Sequence, residues 1–583
     1  MLAETTYPKT LEQKTNMTRQ EAIEKLCAPG QPFELKFTQI RGQRCKVFSH
    51  APETLRDLYE ETRSDLEYLV FEGERMTFEE VYLHASALGR AMISDFGVVQ
   101  GDRVAIAMRN YPEWVVAFFA VTAIGAIAVS MNAHWSPREL FYGLADCRPK
   151  LIFVDQERLD DLSADSPLLS GTEIIRVRAE ENINIRSEEY TSIVSNHYGC
   201  GMPFVNINAD DDATLIYTSG STGRPKGAVS TNRSIVSALL SWELDAELRS
   251  FLGQYEQPKP SYQESFLLSV PLFHVSGSHV GMLASLRSQR RLILMYKWDA
   301  ETGMDLIERE RVTVFTAAPA ITGDLIQAAS KQNRDLSGLL IVGGGGAPRA
   351  PAQVHEIGEL AENVVPSTGW GMTETNAIGT GILGKTYLDH PSSSGQCAAV
   401  LELRVVDAEG DILGPNLRGE LQVRGTSMFR CYWNRPEETI MAFDEDWFKT
   451  GDIAYIDREG FVYIVDRAKD IIIRGGENIA CVAVEDALLA HTDVVEACVY
   501  GLPDDRLGET VGATLLVKRK IDAEALERFL TNRLAKFEIP SLVRQQTTPL
   551  PRGASGKILK RLLRLEASKE LRSEVVSTSE GNT

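Results

Sequence analysis

The chain has 583 residues, 43% of them hydrophobic and 24% charged, with a formal net charge of -20. That length exceeds what one hydrophobic core serves, and that apolar content excludes extensive disorder. The acidic balance disfavours non-specific nucleic-acid binding, so a polyanionic ligand must be held by local donors.

Eight cysteines are scattered along the chain. None forms a Cys-x-x-Cys pair or a Cys/His cluster at zinc-ligand spacing, which points to reduced thiols inside a cell. Residues 1–50 read as a polar leader without the apolar core of a signal peptide, and the chain ends without a peroxisomal tripeptide, so the expected location is cytoplasmic. From Leu55 helix and strand alternate. Phe78 to Phe96 has helical apolar spacing, and Val104 to Met108 reads as a buried strand. The apolar run Trp114 to Met131 is at the lower limit for a membrane span. Pro112-Glu113 opens it like a helix and Gly125 interrupts it, so a buried helix followed by a buried parallel strand is expected, and no transmembrane segment. Leu151 to Asp155 is a further strand. Alternation of this kind predicts a parallel sheet with helices on both faces.

Thr214 to Tyr217 is a β-branched and aromatic strand. It leads into Thr218-Ser219-Gly220-Ser221-Thr222-Gly223-Arg224-Pro225-Lys226-Gly227. Glycines let successive N–H groups face one anion, the hydroxyls add neutral donors, and Lys226 adds a point charge. The composition is that of a polyphosphate cradle. It differs from the Walker pattern, since Pro225 precedes the lysine and Gly227 follows it.

Gln254 to Ser265 is a polar insertion expected to be an exposed loop. Thr313 to Thr316 and Leu339 to Val342 are strand-like. Gly343-Gly-Gly-Gly-Ala-Pro348 then offers bare backbone to a flat ring. Ser367 to Thr375 gathers Trp370, hydroxyls and Glu374 in one loop. From Leu401 short alternating stretches predict antiparallel β structure: Leu403 to Val406, Gly419 to Gly425 and Phe461 to Val465. Thr450-Gly-Asp452 and Asp466-Arg467 place a carboxylate and a guanidinium nearby. Beyond Arg467 the pattern resets to a small α/β unit, with strands at Val494 to Tyr500 and Ala513 to Val517 and a helix over Ala523 to Leu534. Arg552-Gly-Ala-Ser-Gly-Lys557 presents a lysine on a flexible loop, and a polar tail follows from Ser568.

Together these segments resemble the adenylate-forming superfamily of acyl-CoA synthetases, adenylation domains and beetle luciferases. The resemblance runs from about Leu55 to about Arg564 and is most specific at Tyr217 to Gly227, Gly371 to Thr375, Trp447 to Asp452, Asp466 to Ile479 and Pro551 to Lys560. It implies an α/β fold with a large N-terminal domain, here 51–467, carrying parallel sheets and a small antiparallel unit. A small mobile α+β domain, 468–567, and a tail, 568–583, follow.

The resemblance also implies roles. Thr218, Ser219, Gly220, Ser221, Thr222, Gly223 and Lys226 match the phosphate loop. Gly346, Ala347 and Pro348 with Gly369, Trp370, Gly371 and Met372 match the adenine-binding segments. Thr373 matches a phosphate contact and Glu374 a Mg²⁺ ligand. Asp452 and Arg467 match the ribose-binding pair, Lys469 the hinge, Lys557 the catalytic lysine, and Gly475 and Gly476 the turn lining the coenzyme A tunnel. His274, Gly277 and Gly379 are expected at the acyl pocket, the glycines leaving room for an alkyl or aryl chain. Trp370 stands where Tyr is commoner, Ala483 where Glu is common, and Cys431 where Gly is frequent.

The implied activity is ligation of a carboxylic acid, fatty or aromatic, to coenzyme A with ATP and Mg²⁺, through an acyl adenylate. A stand-alone adenylation enzyme loading a carrier protein is the alternative. Amino-acid-specific members usually carry an Asp near the His274 segment, and Pro271 to Gly277 has none. The residues leave chain length and oligomeric state open.

Overall fold

The computed structural model describes residues 17–162, 171–182, 185–218, 225–255, 260–361, 363–474, 477–504, 506–553 and 556–580. Two sheets form the large N-terminal part. In the first, Arg103–Ala107 lies between Ile127–Ser130 and Leu151–Val154, all parallel. Asp212–Thr218 continues the parallel set beside Ile127–Ser130 and turns back antiparallel into Lys226–Thr231. In the second, Glu67–Phe71, Arg291–Leu294, Ser265–Leu268, Val314–Ala317, Ile341–Gly344 and Val365–Thr368 are parallel neighbours.

The apolar run at 114–131 is the expected helix and strand. Helix Pro112–Ala123 has Pro at its first turn and a wholly buried Trp114. Gly125 turns at φ +73°, which glycine adopts without a Cβ clash, and strand Ile127–Ser130 follows. The helix shares one core with Val104 and Ile106 of the first sheet and Leu69 and Leu267 of the second. It is therefore sandwiched, which explains why it is apolar on every side. Among the described residues no helix is long and apolar enough to cross a membrane.

The second sheet continues into antiparallel strands. Gly419–Gly425 pairs with Leu401–Val406 on one side and with Trp447–Ile456 on the other, and Trp447–Ile456 pairs with Phe461–Arg467. Beyond these strands Val494–Asp504 and Gly508–Val517 pair antiparallel and pack against helix Cys481–Leu489 around their own core.

Two stretches differ from the sequence expectation. The leader 1–50 contains helix Arg19–Leu26 and the hairpin Leu35–Ile40 with Gln43–Phe48. The helix starts at a Thr18/Glu21 capping box, buries Ala22 and Leu26, and ties Arg19 to Asp245 at 2.7 Å. Those long-range contacts hold an eight-residue helix that would be marginal alone. At the other end, helix Lys560–Glu580 runs across the boundary drawn at 567/568. Leu563 and Ala567, inside that boundary, bury against Cys498 and Tyr500, so its first turns belong to the core of the C-terminal part.

Candidate active site

The glycine-rich loops leave the carboxyl ends of the parallel strands, where ligands bind in open α/β sheets. Gly343 and Gly344 close strand Ile341–Gly344. A Cβ on Gly343 would strike the Thr316 hydroxyl, and one on Gly344 would strike the Arg349 guanidinium. Arg349 lies beneath this loop, donating to the Gly343 carbonyl at 3.0 Å and to Gln353 at 2.9 Å. Burial brings its pKa down to about 10. Gly346 has φ +76°, and a Cβ there would lie 3.2 Å from Cε of Lys557. Ala347 and Pro348 follow on the same loop.

Lys557 thus reaches the large part from the far end of the chain. Its loop is braced by Arg552, which donates to the Gly556 carbonyl at 2.6 Å and pairs with Glu496 at 2.5 Å. Gly556, at φ +78°, abuts Ile321 and Ala318 of the large part. Desolvation of the ammonium, then the Arg467 charge, holds the Lys557 pKa below the usual lysine range, with Asp452 opposing.

Asp452 is the hub, 2% exposed. It faces Arg467 across the antiparallel pair. The Arg467 Nε donates to Oδ1 at 2.6 Å, and the Trp370 Nε1–H donates to Oδ2 at 2.7 Å. Burial raises the Asp452 pKa and Arg467 counters it. Trp370 therefore does more than offer a flat face: its N–H fixes the carboxylate, a donor that the commoner Tyr carries differently.

Gly369, Gly371 and Gly379 are close-approach positions. A Cβ would meet the Thr380 carbonyl at Gly369, the Ala377 carbonyl at Gly371 and the Trp370 ring at Gly379. A Cβ on Gly277 would meet the Pro271 carbonyl. At Gly277 and Gly379 the space a side chain would take is filled by Pro271 and Trp370. His274 lies beside Phe273, with ring centroids 4.6 Å apart. Burial, then Lys557, holds its pKa down to about 4, so it is neutral at pH 7.

Met372, Thr373 and Glu374 turn through a short 3₁₀ segment, Thr373–Thr375. Glu374 is 5% exposed, and its Oε1 accepts from the Tyr432 hydroxyl at 2.8 Å. Burial pushes its pKa above the ordinary carboxylate range, with Tyr432, Arg467 and Lys226 opposing. The Lys226 ammonium lies 5.2 Å from the Tyr432 ring centroid and 2.5 Å from Glu438. Thr218 and Lys226 are paired across the hairpin. Ser219, Gly220, Ser221, Thr222 and Gly223, and likewise Gly475 and Gly476, lie outside the described residues. Lys469 occupies the turn after strand Phe461–Arg467, in which the Asp470 N–H donates to the Arg467 carbonyl at 2.9 Å.

Three contacts escaped the sequence reading. Tyr432 and Glu438 connect Glu374 and Lys226 from a distant segment. His279, wholly buried, meets Asn376 Oδ1 at 3.2 Å behind the Glu374 turn. The only sequence signal for Tyr432 is its place in the Cys431-Tyr432-Trp433 segment.

A family profile described as "AMP-binding enzyme" matches residues 57–433, and its C-terminal domain profile matches 483–557. The chain belongs to the AMP-binding enzyme family. It is 32% identical to the 2-succinylbenzoate–CoA ligase of Bacillus velezensis over 85% of this chain and 94% of the relative. It is 30% identical to a long-chain-fatty-acid–CoA ligase of Mycobacterium tuberculosis over 85% of this chain and 93% of the relative. Among solved structures it is similar to an anthranilate CoA ligase in complex with anthranoyl-AMP, with a TM-score of 0.78 and 25% identity. That match covers 89% of this chain and 98% of the other. It is also similar to the o-succinylbenzoate CoA synthetase of Bacillus subtilis in complex with its acyl-adenylate, with a TM-score of 0.73, 26% identity and 88% and 98% coverage.

One prediction arises from the hub. Asp452→Ala removes the acceptor that Trp370 and Arg467 hold in place. Each hydrogen bond to a charged group is worth about 1.5–3 kcal/mol. The Kd for ATP, measured by calorimetry on the folded variant, is expected to rise at least about ten-fold. An unchanged ATP affinity would remove Asp452 from nucleotide binding.

Proposed function

We infer that this protein is an ATP-dependent carboxylic acid–CoA ligase acting on a fatty or aromatic acid. The observation that carries this reading is Lys557. It comes from the C-terminal part to lie beside Gly346, where an added Cβ would sit 3.2 Å from its Cε, and it feels the charges of Arg467 and of Asp452, the partner of Trp370. One lysine, one buried carboxylate and one glycine-bearing loop are thereby brought together.

In this reading Asp452 and Arg467 hold the ribose hydroxyls, and Gly346, Ala347, Pro348 and Gly369 to Met372 hold the adenine. Thr218 to Lys226 and Thr373 hold the phosphates. A carboxylate oxygen of the acid attacks the α-phosphorus, and the bond to pyrophosphate breaks. Two anions meet in that step, so neutralising charge is the main catalytic task. Lys557 places its ammonium between them. The coenzyme A thiol sulfur then attacks the acyl carbon, the bond to AMP breaks, and the thiol proton is lost. The mixed anhydride is already activated, so no protein nucleophile is needed.

The donor set fits Mg²⁺. Among the described residues no cluster of three or more His, Cys, Asp or Glu forms an all-protein cage. Glu374 offers one buried carboxylate with only Oε1 engaged by a described side chain. One carboxylate plus substrate phosphates is the usual way of binding Mg²⁺. Bound there, Mg²⁺ would offset triphosphate charge.

The neutral His274 and the Phe273 ring give one wall of the acid site an apolar character. Relatives named for succinylbenzoate, long-chain fatty and feruloyl substrates support a fatty or aromatic acid. Residues 51–467 and 468–567 form the two domains, with Lys469 as pivot and 475–476 at the coenzyme A tunnel. Eight free cysteines suit the reducing cytoplasm, where we place the protein.

The test is product identity. With ATP, Mg²⁺ and a panel of fatty and aryl acids, AMP and pyrophosphate are expected in equal amounts, and EDTA is expected to stop their release. Stoichiometric ADP would refute the reading.

A further inference from the structure

At the other end of the second sheet lies a largely open pocket of about 430 Å³. Strands Glu67–Phe71, Ser265–Leu268, Arg291–Leu294 and Val314–Ala317 are parallel and begin around it. The nucleotide loops leave the opposite, carboxyl ends of the same parallel set, so the cavity is separate from the catalytic cleft. Its size falls in the range of small-molecule sites, about 300–1,000 Å³, and exceeds what a single ion needs.

Its lining is rich in arginine, on a chain that is acidic as a whole. Arg75 grips the buried Glu310 with two bonds of 2.9 and 3.0 Å. Arg291 and Arg309 each reach the same carboxylate at 3.3 Å. Glu67 takes a second bond from Arg75 at 3.0 Å. Burial pushes the Glu310 pKa up, but the arginines prevail and hold it below the usual range, so it stays ionised. Arg311 also lines the cavity and makes no ion pair among the described residues. Its guanidinium carbon lies 5.5 Å from the centroid of the Tyr262 ring. The Nε of Arg291 is buried without a hydrogen-bond partner. Two carboxylates cannot neutralise four guanidinium groups, and the surplus of two positive charges lines an open pocket with one aromatic wall.

We propose that this cavity is a second ligand site, which binds a small phosphate monoester through Arg311 and Arg309 with an organic body against Tyr262. Guanidinium forks match phosphate oxygens bidentately, which a lysine cluster would not do. The buried Glu310 acts as the template that holds Arg75, Arg291 and Arg309 in place. The site requires nothing of the ligase chemistry and stands apart from it.

Phenyl phosphate is the probe, a phosphate monoester on a flat ring. Titration calorimetry on the full chain at constant ionic strength is expected to show saturable binding. Arg311→Asn is expected to weaken binding ten-fold or more. Asparagine tolerates the left-handed backbone of this position, φ +51°, and the Arg311 guanidinium makes no ion pair with Glu310 among the described residues, so the fold is expected to be retained. Should that variant misfold, Arg309→Ala at an exposed side chain carries the same test. Inorganic phosphate is expected to compete, and Asp452→Ala is expected to bind phenyl phosphate as the native chain does. Absence of saturable binding, native affinity in Arg311→Asn, failure of phosphate to compete, or loss of binding in Asp452→Ala would each overturn the proposal.

Discussion

Replacing Lys557 with alanine is expected to abolish adenylate formation while sparing thioester formation from a supplied acyl adenylate. The Lys557 side chain lies beside Gly346 and within reach of the Asp452 and Arg467 charges, so in this reading it is preorganised where two anions must meet. Removing one such donor typically costs about 10²–10³ in rate, and here it leaves the carboxylate and the α-phosphate facing each other unshielded. In the second step the proposed rotation at Lys469 carries the lysine away, so thioester formation does not use it. Lys557→Arg is expected to rescue poorly, because a planar fork does not replace a compact ammonium beside Gly346. The pH dependence follows from the same group. Its charged form does the work and its pKa is lowered, so adenylation falls as pH rises through a value below the ordinary lysine range. The ammonium is present, and the rate restored, below it. Both half-reactions measured on the folded variant decide this. Native adenylation, or equal loss of both steps, would remove Lys557 from its role.

Lys469→Pro is expected to separate the half-reactions in the other sense. Lys469 is the third residue of the turn closed by the Asp470 N–H and the Arg467 carbonyl. No backbone hydrogen bond from its own N–H appears among the described residues, so proline removes none there. Proline fixes φ near -65°, and a hinge must absorb a large φ/ψ change. It also disfavours a helical conformation at residue 468, which predicts a modest loss of adenylation. The rotation it blocks matters more. A site misplaced by even 1 Å can lose about 10²-fold, and thioester formation is expected to fall by at least that much. One contact that spans the turn is Asp466, which accepts from the Cys481 N–H at 2.5 Å. Quenched-flow measurement of both steps is the check, and equal loss in both would count against a pivot at 469.

The large-scale architecture was legible because its signals are local. Val104, Leu151 and Val314 sit in short apolar runs with turn residues on either side, and that pattern belongs to buried parallel strands. The motif segments were legible for the same reason. What escaped depends on contacts between distant residues. Helix Arg19–Leu26 is short and polar, and its anchor at Asp245 is 226 residues away. Its capping box at Thr18 and Glu21 was the one local clue. At Gly277 and Gly379 a missing side chain says nothing about what fills the gap. Pro271 and Trp370 fill it. Tyr432 reaches Glu374 across 58 positions, which no periodicity encodes.

The central claim is that one cleft makes an acyl adenylate and passes the acyl group to coenzyme A. The most direct measurement incubates the protein with ATP, Mg²⁺ and a fatty or aryl acid without coenzyme A, and follows the bound species by mass spectrometry. The account predicts an adduct of acid and AMP with loss of pyrophosphate, converted to acyl-CoA and free AMP when coenzyme A is added. An acid converted without an adenylate, or an adenylate that coenzyme A does not consume, would contradict it.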